Sequence, residues 1–232
     1  MSDPRVIVAL DFPSTDEALG FAAIVEPGQC RLKVGIELFS IGGPAIVGAL
    51  AERGFDIFLD LKFHDIPNTV ARACAVAARM GAWMLNVHTL GGADMLQAAR
   101  EAVDGCDQRP LLIGVTVLTS HAERDLAGVG IHGGLMHEVD VLAALARAAA
   151  LDGVVCSPQE VAELRKNMGA GFVLVTPGIR PTAAAKDDQA RTMAPREAVK
   201  QGADYLVIGR PITRAAKPRD VLEAINRDLE PH

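Results

Sequence analysis

Asp60 and Lys62 lie two residues apart at the end of a β-rich run, so a strand's two-residue period points both side chains the same way. Asp65 follows in a short loop, and Lys33 closes the preceding β-rich run. Two lysines and two aspartates can therefore converge on one spot. Any one of these charges alone reads as part of a structural ion-pair network or a solvated loop. As a group they are different, because charges are costly to bury unless they are paired and used. Lys62, flanked by Asp60 and Asp65, is expected to be an ammonium, since opposite charges nearby favour the charged form. That suits a proton donor and a fixed cation for developing negative charge. It does not suit a Schiff-base lysine, which must attack as a neutral amine.

A second group lies late in the chain, where Gly209-Arg210 follows the last β-rich run. A planar guanidinium binds phosphate oxygens in pairs, and a glycine beside it permits close backbone approach.

The elements that must position these residues are short β-rich runs alternating with Ala/Leu-rich amphipathic stretches, the pattern of βαβ units around a parallel sheet. Eight strands are predicted: Arg5–Leu10, Arg31–Gly35, Asp56–Lys62, Trp83–His88, Leu111–Leu118, Gly153–Cys156, Phe172–Thr176 and Tyr205–Ile208. Ser14 with Glu17, and Ser157 with Glu160, form capping-box patterns, and Pro158 sits at a first helical position. Gly54, Gly81, Gly169 and Gly202 stand where helices should stop. Eight strand–helix units imply an α/β protein built as a single (β/α)₈ TIM barrel, one domain over residues 1–232. In that fold the strand ends bearing Lys33, Asp60 and Lys62 form the mouth, and the loops after strands seven and eight are the customary phosphate site. The longest irregular stretches, Thr119–Gly134 and Pro177–Arg191, also follow strands and become candidate binding loops or lids.

Composition removes several classes. The net charge of -6 and the lone Trp and Tyr leave neither a basic footprint nor a stacking platform for nucleic acid. No apolar run approaches the roughly 18 residues of a membrane span, and the N-terminus does not read as a signal peptide. Cys30, Cys74, Cys106 and Cys156 lack a CxxC pair and read as packing residues of a cytoplasmic protein. Gly128 to Gly133 spells G-x-G-x-x-G but follows a helix and lacks the acidic partner, so it reads as a loop. His121, His132 and His137 are not spaced as HExxH, and no metal site is assigned. His64 and His88 have no assigned role.

The run Asp60-Leu61-Lys62-Phe63-His64-Asp65-Ile66-Pro67-Asn68-Thr69 resembles the signature of the orotidine 5′-monophosphate decarboxylase family, with Lys33 matching the further lysine of that family's Lys-Asp-Lys-Asp array. The resemblance extends to Leu10-Asp11, Val34-Gly35, Thr116 to Ser120, Thr176 to Arg180 and Ile208 to Ile212. It implies decarboxylation of orotidine 5′-monophosphate to the uridine nucleotide without a cofactor, the last step of de novo UMP synthesis. It also implies that Asp11 and Lys33 contact ribose hydroxyls and that Thr119 and Ser120 lie near the pyrimidine. Gln189, Arg210 and the Gly209 amide would hold the phosphate, with Arg180 beside them. A homodimer with shared sites is implied too, in which Asp65 and Thr69 reach the partner's mouth. Two rivals remain. Metal-dependent sugar-phosphate decarboxylases and aldolases of the same suprafamily share the Asp-x-Lys-x-x-Asp spacing but place a metal-binding carboxylate at the position of Lys33, where a lysine would repel the ion. A non-catalytic phosphate-binding barrel would be expected to lose part of the charged array.

Overall fold

The computed structural model describes residues 3–181 and 192–230. Eight parallel strands close into a barrel in chain order: β1 Val6–Ala9, β2 Arg31–Gly35, β3 Ile57–Phe63, β4 Ala82–His88, β5 Leu111–Val115, β6 Gly153–Val155, β7 Val173–Thr176 and β8 Tyr205–Ile208. Around them run the helices α1 Thr15–Ala22, α2 Ile36–Ala51, α3 Pro67–Arg79, α4 Ala93–Asp104, α5 Glu123–Gly128, α6 Leu135–Ala148, α7 Val161–Met168, α8 Pro195–Gln201, α9 Arg210–Thr213 and α10 Pro218–Leu229. The predicted (β/α)₈ barrel is the observed fold.

Both faces of each strand are buried, which is why the strands read as nearly continuous apolar runs. Val6, Val8, Leu32, Val34, Ile57, Leu59, Leu85 and Val87 face outward into the main core beneath the helices. Ile7, Ala9, Phe58, Met84, Ile113, Val175 and Val207 fill the barrel interior. The same alternation carries Lys33 inward beyond Arg31, Asp60 beyond Phe58, and Asn86 beyond Met84. The interior is therefore layered, with an apolar belt in the middle and polar residues towards the mouth.

The opposite end is closed by Arg31, which is buried although charged. Its guanidinium lies 4.1 Å from the Trp83 ring centroid and 5.1 Å from that of Tyr205, and the two rings meet edge to face. Arg31 Nε donates to Asp56 at 3.1 Å, and the remaining guanidinium nitrogens reach Asp3 and the Pro4 carbonyl.

Local signals behaved unevenly. Ser14 caps α1 by accepting the Glu17 N–H at 3.2 Å, and the four helix-stopping glycines all have φ between 80° and 115°. Pro158 does not open α7. The Glu160 carboxylate accepts the Ser157 N–H at 2.8 Å and the Glu160 N–H bonds the Ser157 carbonyl, which closes a turn first, so the helix begins at Val161. β5 ends at Val115 rather than Leu118, because its partner β6 is three residues long and offers no ladder beyond the Val115–Val155 pair. The stretch 119–134 is not wholly irregular, since it contains α5, and Gly128 closes that helix as a loop reading requires.

At Gly153 the sheet leaves no room for a side chain, since a Cβ there would run into the Val173 carbonyl. Gly153→Ala should therefore push β6 from β7 and cost about 1–3 kcal/mol, seen as a drop of several degrees in the thermal midpoint. An unchanged midpoint would contradict this packing.

Candidate active site

Asp11, Lys33, Asp60, Lys62, Thr119, Arg180, Gly209 and Arg210, all singled out from sequence, line one cavity of about 250 Å³ at the mouth. Phe58, Val115, Val117, Leu118, Val155 and Val207 supply its apolar wall, with Pro177 and Gly178 at the β7 end. One side is lined by alternating charges. Lys33 Nζ lies 3.5 Å from Asp11 Oδ1 and 3.2 Å from Asp60 Oδ2, and Lys62 Nζ lies 2.6 Å from Asp60 Oδ1. Arg180 and Arg210, which follow β7 and β8, line the same cavity.

Burial and pairing oppose each other in this row. For Lys33 burial works to lower the pKa, yet Asp60 and then Asp11 outweigh it and hold the ammonium above its ordinary value. For Asp60 burial alone would raise it. Lys33 and Lys62, with hydrogen bonds from Lys62 and Asn86, bring the carboxyl down to about 2. Asp60 is therefore a carboxylate clamped between two ammonium groups, with both of its oxygens occupied and its orientation fixed.

Asp60 and Lys62 meet as expected, but not by simple alternation. β3 pairs Leu59 with Leu85 and then Phe63 with Val87, so three of its residues oppose the single Asn86. Lys62 absorbs the slip with a φ of 53°, in the left-handed region that a non-glycine residue seldom enters. Asn86 is the functional-site residue that sequence reasoning missed. It is fully buried, donating Nδ2 to Asp60 at 2.7 Å and accepting the Lys62 N–H on Oδ1 at 2.8 Å. The available signal was an amide at an inward position of an otherwise apolar strand.

Other expectations meet a different geometry. Asp65 is exposed and accepts the N–H of Ile66 at 2.6 Å; neither it nor Thr69 lines the mouth of its own chain. Ser120 lines a neighbouring hollow with His121 and His137 rather than the charged cavity. Gln189, and the part of the 177–191 loop from 182 onward, lie outside the described residues. His88 packs its ring 5.5 Å from that of His64, and burial first, then the charges of His64 and Lys62, push its imidazole below the ordinary value. It is thus neutral at neutral pH and adds no further cation beside Lys62. Among the described residues no group of three or more metal-ligating side chains gathers, and no helix is long and apolar enough to cross a membrane. All four cysteines are free, and burial pushes the thiols of Cys30, Cys74 and Cys156 up to about 12, as packing residues should show.

Residues 4–225 match the Orotidine 5'-phosphate decarboxylase / HUMPS family. The chain is 56% identical over 230 residues to an orotidine 5'-phosphate decarboxylase of Nitrosospira multiformis, covering 99% of this chain and 95% of that protein. It is 58% identical over 224 residues to one from Laribacter hongkongensis, covering 97% and 92% respectively. The crystal structure of orotidine 5'-phosphate decarboxylase from Lactobacillus acidophilus superposes with a TM-score of 0.89 at 35% identity, covering 99% of this chain and all of that one.

The clamp on Asp60 has a signed consequence for stability. Its carboxyl lies at about 2 in the fold and at roughly 3.9 in an unfolded chain, so in that window the unfolded state binds the extra proton. The stabilisation is fully present above the unfolded value and is lost as pH falls through the folded one. Denaturant melts in acid should show stability falling between about pH 4 and pH 2, with that share of the slope missing in Asp60→Asn. Equal slopes in the two proteins would count against the clamp.

Proposed function

The chain belongs to the orotidine 5'-phosphate decarboxylase / HUMPS family, and from that premise we propose how its mouth residues carry out the reaction. That reaction is the decarboxylation of orotidine 5′-monophosphate to uridine 5′-monophosphate and carbon dioxide, and the protein is a carboxy-lyase of pyrimidine biosynthesis.

The observation that carries the assignment of roles is the Lys62 ammonium 2.6 Å from Asp60, with Lys33 on the far carboxylate oxygen. The bond from C6 of the pyrimidine to its carboxylate breaks, carbon dioxide leaves, and the electron pair stays on C6, where the ring's π-system delocalises it poorly. A cation held beside C6 stabilises that charge more in the transition state than in the ground state. Lys62 then passes its proton to C6, forming the new C–H bond, and regains a proton from solvent. Asp60 faces the substrate carboxylate and disfavours it more than the charge-shifted transition state, while holding Lys62 in place.

The rest of the cavity divides by chemistry. Arg210 and the Gly209 amide, with Gln189, hold the phosphate, and Arg180 lies beside them. The ribose hydroxyls fall to Asp11 and Lys33, and the ring rests against the apolar wall near Thr119 and Ser120. No metal or organic cofactor is assigned, because the carboxylate that would attract a cation already has two ammonium groups within 3.2 Å. These roles fall within what we read as one domain of a cytoplasmic enzyme, a reading the four free cysteines favour.

Asp65 completes the array from a partner subunit in this proposal. Support comes from its exposure and from three large apolar side chains at the C-terminal ends of adjacent strands. These are Ile36 after β2, Ile66 after β3 and Leu90 after β4, which are 58%, 68% and 51% exposed. A symmetric dimer would cover them and send each Asp65 and Thr69 into the other mouth.

The defining assay is loss of ultraviolet absorbance from orotidine 5′-monophosphate after exhaustive chelation, where turnover is expected for the wild type. Lys62→Ala should lose most of kcat while still binding the product nucleotide. Dependence on added Mg²⁺ would overturn the metal-free proposal, and near-normal kcat in Lys62→Ala would remove that residue from proton transfer.

Mixing inactive Lys62→Ala with inactive Asp65→Ala tests the shared site. If Asp65 acts across the interface, each hybrid has one intact site, and random exchange restores about a quarter of all sites. If verified exchange restores none, Asp65 acts within its own chain and the shared-site proposal fails.

A further inference from the structure

Asn86 occupies the inner face of β4, fully buried, at the larger of the two places where β3 and β4 lose register. Three β3 residues, Asp60, Leu61 and Lys62, face it alone, so the Lys62 N–H finds its partner in the Asn86 side chain rather than in the backbone of β4. The same amide donates to the Asp60 oxygen that Lys62 Nζ also contacts. Only one orientation of the amide serves both, because an N–H can only donate and a carboxylate can only accept. A hydrocarbon of equal size would leave the Lys62 N–H unpaired and take one donor from Asp60, and a carboxylate would satisfy the N–H while repelling Asp60.

We propose that Asn86 is a positioning residue for proton transfer, fixing through one amide both the Asp60 carboxylate and the left-handed backbone turn from which Lys62 extends. The idea rests on the reading of Lys62 as proton donor. Lys62 has a φ of 53°, and release to extended backbone would redirect its Cβ and carry the ammonium away from the reacting carbon. Misplacement of about 1 Å is enough to cost about 10²-fold in rate. Asn86 does not line the cavity, so its effect must pass through Asp60 and Lys62 rather than through substrate contact.

The test uses two variants of the full chain. Asn86→Leu, which keeps the shape and removes both hydrogen bonds, should lower kcat about 10²-fold while KM stays within about threefold of wild type, since ground-state binding is untouched. Asn86→Asp keeps the acceptor for the Lys62 N–H but sets a second carboxylate against Asp60. Its kcat should be low at neutral pH and rise on acidification, as the introduced carboxyl takes a proton and donates it in a hydrogen bond to Asp60. The wild type should show no such rise. Wild-type kcat in Asn86→Leu overturns the proposal, as does a wild-type pH profile in Asn86→Asp or a loss confined to KM. Should Asn86→Leu fail to fold, the pH profile of Asn86→Asp decides alone. Turnover in Lys62→Ala would instead sink the underlying reading. An inactive Lys62→Ala beside Asn86 variants of normal kcat would sink only the positioning role.

Discussion

One carboxylate held between two ammonium groups at the mouth of an apolar barrel sets the terms for the rest of the molecule. Burial opposes charge on Lys33 and on Asp60 alike, and only their mutual attraction offsets it. Removing one member of such a row costs stability, because it leaves the buried charges beside it less well compensated. The barrel supplies the conditions. Its interior alternation delivers one charged residue from each of two neighbouring strands, β2 and β3, and an apolar belt beneath them excludes water from below. In the proposed mechanism the charges that hold the site together are the same ones the chemistry uses, which couples stability to catalysis there.

Much of this was legible in the residues. Eight strands were readable because strands buried on both faces are dense in Val, Ile and Leu and are separated by helix caps and stops. β2 and β8 have the predicted bounds, and the other six differ at their ends. The largest difference, β5, has a tertiary cause, since a strand lasts only as long as its neighbour offers a ladder. In the site, Lys33, Asp60, Lys62 and Arg210 announced themselves by carrying charge at strand ends. Asn86 did not, because a single amide in Ala82–His88 carries meaning only once the register shows what lies opposite. The expected alternation of Asp60 and Lys62 brought the right side chains together for an incomplete reason. The slip in β3 and the left-handed Lys62 depend on β4 and lie outside what a local pattern can express. Asp65 shows a further limit, since the segment that carries it is readable but its place relative to a second chain is not.

The two ends of the barrel do different work with similar materials. At the mouth, ion pairs are arranged around a space that a nucleotide can enter. At the floor, Arg31 is packed against two aromatic rings and tied to Asp3, Asp56 and the Pro4 carbonyl. The belt of Ile7, Phe58, Met84, Ile113 and Val175 lies between the two.

That separation has a spectroscopic consequence. The chain has one tryptophan and one tyrosine, and both sit at the floor with ring centroids 5.1 Å apart. Light absorbed by Tyr205 passes efficiently to Trp83 at this range, and the emission of Trp83 responds to the guanidinium over its ring. Intrinsic fluorescence is thus a gauge of whether the floor is intact, while events at the mouth take place out of its sight.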